Sequence, residues 1–546
     1  MSRLVLSGVP VHTITSNAVA EAVAVADGKI LAVGDRPAVL AAAGPEATEL
    51  RLERGALLPG FVDAHHHAYL VVTDPSTDAL YRKAADIPGM LEVVGGLRNL
   101  PATWLRLHGY EPLDLSEMRS PTAAEIDAVV ADRPVHLISR TFHESAVNTL
   151  GLEQLGFDRS ERRPPGVLVG RRGRPTGVLV EQASFAAEAA SRPAARPELD
   201  RGRLAWHAER LFAAGITTIC DAAVPIADAD AYVEAADTLG LRVAPLLVGD
   251  RIDAPGLRAG STAKVLADGG EYCHLCLTGR QVAALSASSL RATLARNGRL
   301  ARAVGRRAGF PTHAGHGQFR TGITLTGTEE LRTLLGQAAN IGSRLAVHAI
   351  GNGALHSVLD ARQSAVAGNE VGLRVEHSMV LDGRDADSLA GAGIPVVAQP
   401  GFLAAFGHQL NAVPLPAPLR LMPFAGLLRA GTTIAFSSDH PAADLNPWTG
   451  IASAVTRADR FGRAILGDES ISVRAAIKAY TTSAANLLGI NVGRIEPGAP
   501  ADLVWVHPDP FTCPADCLAA TATLLTWSNG TVRYASADSG FKGPSS

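Results

Sequence analysis

Residues 59–67 read PGFVDAHHH, an apolar run that ends in three histidines. Such a run is typical of a β-strand, in which alternate side chains share a face, so His65 and His67 would point together while His66 points away. Two imidazoles one pleat apart can bind a single divalent ion. Two polar histidines at the end of a strand would give the same pattern, so the stretch alone leaves both interpretations open.

Apolar strands alternate with helical stretches through the middle of the chain. This alternation indicates βαβ units and a parallel sheet. Eight candidate strands occupy residues 57–64, 216–221, 243–248, 263–267, 344–347, 373–376, 394–398 and 433–437. Eight such units predict an α/β fold of the (β/α)8 TIM barrel type, in which functional residues lie at the C-terminal ends of the strands.

Short strands predominate at both ends of the chain, around the turns Asp27-Gly28 and Asn529-Gly530. We predict that residues 1–57 and 491–546 form one small β-sandwich domain, and that residues 58–490 form the barrel. About 150 residues separate barrel strands one and two, far more than a crossover needs, so residues 68–200 are predicted to be an insertion. Residues 269–320 form a second long loop.

Composition limits the classes of protein to consider. The chain has 546 residues, of which 47% are hydrophobic and 19% charged, which indicates a globular protein of two or three domains. A net charge of −3 gives no reason to expect a nucleic acid or a membrane as partner. Five cysteines are too few for a disulfide framework in so long a chain, which favours the cytoplasm. Five prolines interrupt the uncharged residues 388–419, so no membrane span is expected there.

Further polar residues follow the predicted strands at equivalent places. His348 follows barrel strand five, His377 follows strand six, and Asp439 follows strand eight. Each could be a polar residue that caps a strand. Together with His65 and His67, however, they would gather at one end of the barrel and offer ligands for two metal ions.

Lys264 lies inside the apolar fourth strand. Burial of an ammonium group costs several kcal/mol unless it is paired, so a buried lysine tends to become neutral. A neutral amine can add carbon dioxide to form a carbamate, an anion able to span two metal ions. The alternative is a buried Lys264 paired with Asp268, and spacing does not choose between the two.

The sequence as a whole resembles a known family. It is similar to the amidohydrolase superfamily, specifically to the amidohydrolase family 3 type that includes N-substituted formamide deformylases. The motifs that carry this resemblance are AVAVADGKI (22–30), LPGFVDAH (58–65), GITT (215–218), AKV (263–265), DG (268–269), VHAIG (347–351), EHS (376–378), SDHP (438–441) and GAPADLV (498–504). They are spread over nearly the whole chain.

The resemblance implies a role for each strand-end residue. His65 and His67 would bind one divalent ion, most simply Zn²⁺, and His348 and His377 a second, with Lys264 N6-carboxylated as the bridge between them. Asp439 would bind the first ion and act as general base toward a metal-bridging hydroxide.

Three histidines outside the strands are candidates for contact with the substrate. His143 lies in a segment of the insertion that resembles the family, where Glu181 could hold the insertion against the barrel. His313 and His316 lie in a glycine-rich part of the 269–320 loop, which could be a mobile active-site loop. Solvated or structural histidines are the alternative for all three.

The expected function is therefore metal-dependent hydrolysis of a non-peptide C–N bond in a small-molecule amide, formamide or related group. A deaminase, or a metal-dependent lyase or decarboxylase, on the same scaffold is the alternative, since a fold does not determine a reaction. A non-catalytic protein that retains the barrel is disfavoured, because every expected type of ligand is present. The two-part sheet domain is compatible with a homodimer.

Overall fold

The computed structural model describes residues 3–74, 84–100, 102–192, 199–249, 254–295, 298–315, 317–363 and 371–541. At its centre lies a parallel sheet of eight strands whose order in space is their order in the chain. Barrel strands one to eight are Phe61–His66, Ile216–Pro225, Arg242–Val248, Thr262–Leu266, Arg344–Ala349, Leu373–His377, Val396–Ala398 and Ile434–Phe436.

Two backbone hydrogen bonds join the end of strand eight to the end of strand one. The amide of Asp439 donates to the carbonyl of His65 at 2.8 Å, and the amide of His67 donates to the carbonyl of His440 at 3.0 Å. The sheet is thus joined edge to edge next to the predicted metal ligands. This confirms the predicted TIM barrel.

The first barrel strand differs from the prediction of a single strand over 57–64. The structure divides that run at Gly60: Ala56–Pro59 pairs with Leu503–His507 in another sheet, and Phe61–His66 enters the barrel. A Cβ atom at Gly60 would lie 2.6 Å from Oγ1 of Thr217, so only glycine fits where the chain crosses from one sheet to the other.

Helices surround the barrel and pack one apolar face against it. In Thr328–Ile341 the buried residues Leu331, Leu334, Leu335 and Ala338 have helical spacing, and the helix ends at Gly342 in the left-handed conformation. Further helices of this part of the chain are Ala68–Thr73, Arg201–Ala213, Ala229–Thr238, Asn352–Gln363, Gly383–Gly391, Gly401–Leu410, Phe424–Ala430, Pro447–Thr456, Val473–Ala479 and Thr482–Leu488. A short antiparallel pair, Val380–Leu381 with Arg420–Leu421, joins two of the loops.

Strands from both ends of the chain share one sheet. Its order is Thr531–Ala535, Ala522–Ser528, Leu503–His507, Ala56–Pro59, Leu4–His12, Val19–Ala26 and Lys29–Gly34, with Thr48–Arg51 also paired to Leu4–His12. The helix Arg36–Ala43 packs on this sheet, and Trp505 and Trp527 lie in its hydrophobic core.

The long segment after barrel strand one contains a sheet of its own, in the order Val167–Val169, Pro175–Val180, Glu144–Val147, Val135–Ser139 and Leu105–Tyr110. Its helices are Ile87–Gly96, Ala123–Asp127, Thr149–Leu155 and Gln182–Ser191. We refer to this sheet and these helices as the inserted layer.

The segment after barrel strand four is more ordered than a loop. It consists of two helices, Gly279–Leu294 and Gly298–Ala308, which we call the helical pair, and a small sheet of Leu275–Thr278, Thr312–Gly315 and Gln318–Thr321. Among the described residues, no helix combines the length and the apolar character needed to cross a membrane.

Candidate functional site

His65, His67 and Asp439 meet at the C-terminal end of the barrel. One ligand atom from each of the three lies within 4.8 Å of those of the other two. Nε2 of His67 is 3.1 Å and Nε2 of His65 is 3.5 Å from Oδ1 of Asp439. Two imidazoles and a carboxylate that converge in this way are a donor set that suits a divalent ion such as Zn²⁺.

The ring of His65 is held by a buried carboxylate. Its Nδ1 lies 2.5 Å from Oε2 of Glu376, and Oε1 of Glu376 accepts a hydrogen bond from Nε of Arg374 at 2.6 Å. Nδ1 therefore carries the proton, and Nε2 keeps its lone pair toward the site. Burial lowers the pKa of His65 well below its usual value, so the ring is neutral.

His348 and His377 form the second half of the site. Their ring centroids are 4.4 Å apart, and His377 is 5.1 Å from His65. Gln399 fixes the ring of His377, because its Oε1 lies 2.8 Å from Nδ1, while Nε2 of His348 is buried without a hydrogen-bond partner among the described residues. Burial lowers the pKa of His377 to about 4 and that of His348 well below its usual value.

Lys264 lies between these two groups. Its Nζ is 3.2 Å from Nε2 of His65, and burial lowers its pKa, although Glu376 and Asp439 partly oppose the shift. Asp268 does not pair with it, because the carboxylate of Asp268 accepts hydrogen bonds from the amides of Ile350, Gly351 and His274 at 2.9 Å each. The structure therefore does not contain the lysine–aspartate pair left open by the sequence.

Backbone strain marks the same place. His377 has φ 75° and Asp439 has φ 54°, and both lie in the left-handed region that such residues rarely adopt. Strain of this kind persists only where the surrounding structure enforces it, and it is common at functional sites. Burial alone would raise the pKa of Asp439, but His65 and His67 outweigh that effect and lower it, so the carboxylate is ionised.

His66 points away from the site, as the strand alternation predicts. Its Nδ1 lies 2.9 Å from Oδ2 of Asp63, and its Nε2 lies 2.9 Å from Nε2 of His207 in a flanking helix. Asp63 also accepts a hydrogen bond from the amide of Ser438 at 2.9 Å. These buried polar residues join strand one to strand eight on the side that faces away from the site. Ser438 directly precedes Asp439, so this contact supports the position of Asp439.

The inserted layer brings His143 to the predicted metal ligands. The ring of His143 is 5.3 Å from that of His348, and its Nδ1 is 2.7 Å from Oε2 of Glu181. Burial alone would lower the pKa of His143, but Glu181 raises it to about 9. Glu181 also accepts a hydrogen bond from the amide of Gly270 at 3.1 Å, so it does hold the inserted layer against the barrel.

A cavity of about 650 Å³ adjoins the predicted metal ligands. His65, His67, Lys264, His348, His377, Asp439 and His143 all line it. The rest of the wall is largely apolar and comes from the helix Gly401–Leu410, the helical pair and the inserted layer, with Phe402, Phe406, Leu285, Val304 and Phe142 among its residues. This space admits a small molecule with a large apolar part.

Of the other two histidines predicted to contact the substrate, the structure describes His313, and this residue does not reach the cavity. His313 is exposed on the strand Thr312–Gly315, where it packs against Phe319, and does not line the cavity. It matches the alternative of a solvated histidine. His316 lies outside the described residues. The helical pair of the same segment does line the cavity, with apolar side chains such as Leu285 and Val304 and with polar ones such as Ser289 and Arg307.

Several residues around the site were not identified from the sequence. Gln399 directly follows barrel strand seven, so the strand-end rule that selected the histidines could have found it. Glu111 and Glu271 line the cavity as well, but they lie in excursions where no sequence pattern indicates direction. Arg106, in the same segment as Glu111, instead forms an ion pair with Glu188 at 2.8 Å inside the inserted layer.

Comparison with known proteins agrees with this geometry. The chain is 29% identical to the N-substituted formamide deformylase of Arthrobacter pascens, over 98% of each chain. It is 27% identical to a putative amidohydrolase of Bacillus subtilis, over 94% of this chain and 96% of the other.

Solved structures share the fold. An uncharacterized metal-dependent hydrolase from Pyrococcus furiosus superposes with a TM-score of 0.63 at 19% identity, over 93% of this chain and 100% of the other. One from Pyrococcus horikoshii gives 0.63 at 18% identity, over 94% and 99%. A sequence model described as the amidohydrolase family matches residues 52–534. The chain therefore belongs to the amidohydrolase family, a family of metal-dependent hydrolases.

Proposed function

We propose that the protein hydrolyses a non-peptide C–N bond in a small amide, formamide or related molecule, at a centre of two divalent metal ions. One observation carries this proposal. His65, His67 and Asp439 line the wall of a cavity, and one possible metal-ligand atom of each lies within 4.8 Å of those of the other two. The similarity to an N-substituted formamide deformylase over nearly the whole chain supports the choice of bond.

The residues present fit a pair of metal ions. His65, His67 and Asp439 would hold the first ion, and His348 and His377 the second. The buried Nε2 of His348, which has no hydrogen-bond partner among the described residues, is the kind of donor that a metal ion satisfies. Bound divalent ions would supply Lewis acidity there, polarising the scissile carbonyl and lowering the pKa of a water molecule.

Lys264 would bridge the two ions as a carbamate. Burial favours its neutral amine, whose nitrogen attacks the carbon of carbon dioxide; an N–C bond forms and one proton leaves to solvent. The carbamate then carries one negative charge on two oxygens. Two oxygens can bind two ions at once, and the negative charge offsets the repulsion between them.

Asp439 would move the proton during hydrolysis. Its carboxylate is ionised and lies next to both His65 and His67, where the attacking water would be held. We infer that it accepts a proton from this water and passes it to the departing nitrogen, which leaves as an amine. The water oxygen is bonded to the carbonyl carbon in the acid product, and the C–N bond is broken.

His143 would stabilise the substrate's carbonyl oxygen. Glu181 occupies its Nδ1 and favours the imidazolium, which leaves the Nε2–H group as a donor beside the metal ligands. A positioned donor of this kind acts when negative charge develops on the oxygen in the transition state.

A substrate panel tests the proposal. Zinc-loaded protein is incubated with N-alkyl and N-aryl formamides and acetamides, and the released amine and acid are both measured. We expect equal amounts of amine and acid from at least one member. The Asp439→Asn variant should release neither while its circular dichroism stays unchanged. If no amide were hydrolysed, and ammonia were instead released from amidines or from amino-substituted heterocycles, the proposed amide hydrolysis would be contradicted. That result would favour a deaminase.

A further inference from the structure

The cavity has a charged region outside the metal ligands. Three cations there each have a carboxylate close by: Arg140 with Glu111 at 3.4 Å, Arg307 with Glu144 at 3.0 Å, and His143 with Glu181 at 2.7 Å. The first and third of these ion pairs lie within the inserted segment. The pair of Arg307 with Glu144 joins the inserted layer to the helical pair. Each of these three cations thus already has a carboxylate partner.

Glu271 is the fourth carboxylate of the region, and it lines the cavity. Its Oε1 accepts a hydrogen bond from Oγ1 of Thr141 at 3.0 Å. Its Oε2 is buried and has no hydrogen-bond partner among the residues that the structure describes. Burial raises the pKa of Glu271, and the nearby charges of His143 and Arg307 only partly oppose this shift.

An acceptor buried without a partner bears its full desolvation cost. A residue that only stabilised the fold would be expected to form an ion pair, as Glu111, Glu144 and Glu181 do. Glu271 differs from these three: it lines the cavity, forms no ion pair among the described residues, and leaves its buried Oε2 without a hydrogen-bond partner. Such an oxygen can be satisfied by a group that the ligand brings with it.

We propose that Glu271 determines specificity by accepting a hydrogen bond from an amine or other N–H group on the substituent of the substrate. This inference rests on the proposed function for the position of the scissile bond, which lies at the metal ligands. Phe402, Phe406 and the apolar residues of the helical pair would enclose the body of the substituent. The substrate class is then an amide or formamide whose apolar substituent carries an amine.

A pair of matched substrates tests this. One formamide carries an aromatic substituent that ends in a primary amine, and the other carries a methyl group in place of the amine. Wild-type protein should turn over the amine-bearing compound with a kcat/KM about tenfold or more higher, the range that a charged hydrogen bond supplies. The variant Glu271→Gln should lose this preference, chiefly through a higher KM for the amine-bearing compound.

The exposed Glu153 provides a matched control in the inserted layer, and Glu153→Gln should keep the wild-type preference. The proposal is overturned if wild-type protein shows no preference, or if Glu271→Gln keeps it.

Binding of 2-phenylethylamine, followed by calorimetry on the zinc-loaded protein, makes the test independent of turnover. It should be about tenfold weaker in Glu271→Gln. Equal binding to both proteins would overturn the role of Glu271, whereas a failure of all amides to react would count against the proposed function alone.

Discussion

Nδ1 of His65 lies 2.5 Å from Oε2 of Glu376. This hydrogen bond crosses the barrel interior and joins the end of strand one to the end of strand six. Arg374 donates a hydrogen bond to the other oxygen of that carboxylate at 2.6 Å and so orients it. The relationship determines which nitrogen of His65 faces Lys264 and Asp439. A metal ligand positioned by a carboxylate in this way is both better oriented and more basic.

Replacement of Glu376 by glutamine should therefore weaken metal binding without removing a ligand. Loss of such a supporting carboxylate typically lowers metal affinity or activity by about 10–100-fold. Zinc affinity of the Glu376→Gln variant, measured by competition with a chromophoric chelator, checks this expectation. The exposed Glu153→Gln variant should keep wild-type affinity, and an unchanged affinity in Glu376→Gln would show that this contact does not support the site.

Lys264→Ala should lose the bridge between the ions. We expect the variant to hold fewer divalent ions per chain than the wild type and to lose activity by about 100-fold or more, because one anion at the centre is missing. Short-chain carboxylic acids such as propionate should restore part of the activity, since they can occupy the space of the carbamate. Normal metal content and activity in Lys264→Ala would rule out a carboxylated lysine.

His143→Gln should impair the chemical step more than the metal content. The loss of one positioned donor to a developing oxyanion typically lowers kcat by about 10²–10³-fold. Steady-state kinetics and metal analysis of the same preparation separate the two effects. If kcat stayed within twofold of the wild-type value, His143 would be a structural residue that holds Glu181 in place.

The ion pair of Arg106 with Glu188 should make the inserted layer sensitive to acid. Burial alone would raise the pKa of Glu188, but Arg106 and Arg192 outweigh it and lower the pKa well below its usual value. A carboxyl group with a lowered folded-state pKa stabilises the fold above its unfolded pKa, and that contribution is lost as the pH falls.

Glu188→Gln should thus destabilise the protein by about 3 kcal/mol at neutral pH, a typical cost of removing one partner of a buried pair. Urea unfolding at pH 7 and at successively lower pH values measures this. The difference between variant and wild type should shrink below about pH 4.5, where the unfolded carboxyl group takes up its proton. A difference that stays constant down to pH 3 would show that the charge of Glu188 does not contribute.

The places of the proposed metal ligands were predictable from the sequence because two simple rules determine them. Alternation along a strand puts His65 and His67 on one face, and the barrel brings the C-terminal ends of all eight strands together. His348, His377 and Asp439 follow from the second rule alone. Their roles as ligands, and the domain boundaries, remain predictions that metal analysis and truncation can test.

The remaining features depend on contacts that no local pattern encodes. The division of the first strand at Gly60 interrupts a continuous apolar run, so periodicity does not reveal it. Glu271 reaches the cavity only because the segment after strand four folds back over the barrel. For His313 the local pattern was misleading. A glycine-rich segment with histidines is typical of an active-site loop, but the side chain of His313 is exposed to solvent.

The number of metal ions per chain tests the central claim most directly. Protein expressed with ample zinc and freed of loosely bound ions by gel filtration is analysed by inductively coupled plasma mass spectrometry, in parallel with His65→Ala and His348→Ala. We predict about two divalent ions per wild-type chain and about one fewer in each variant. A wild-type protein that holds no tightly bound divalent ion, or variants that keep the full complement, would contradict the account.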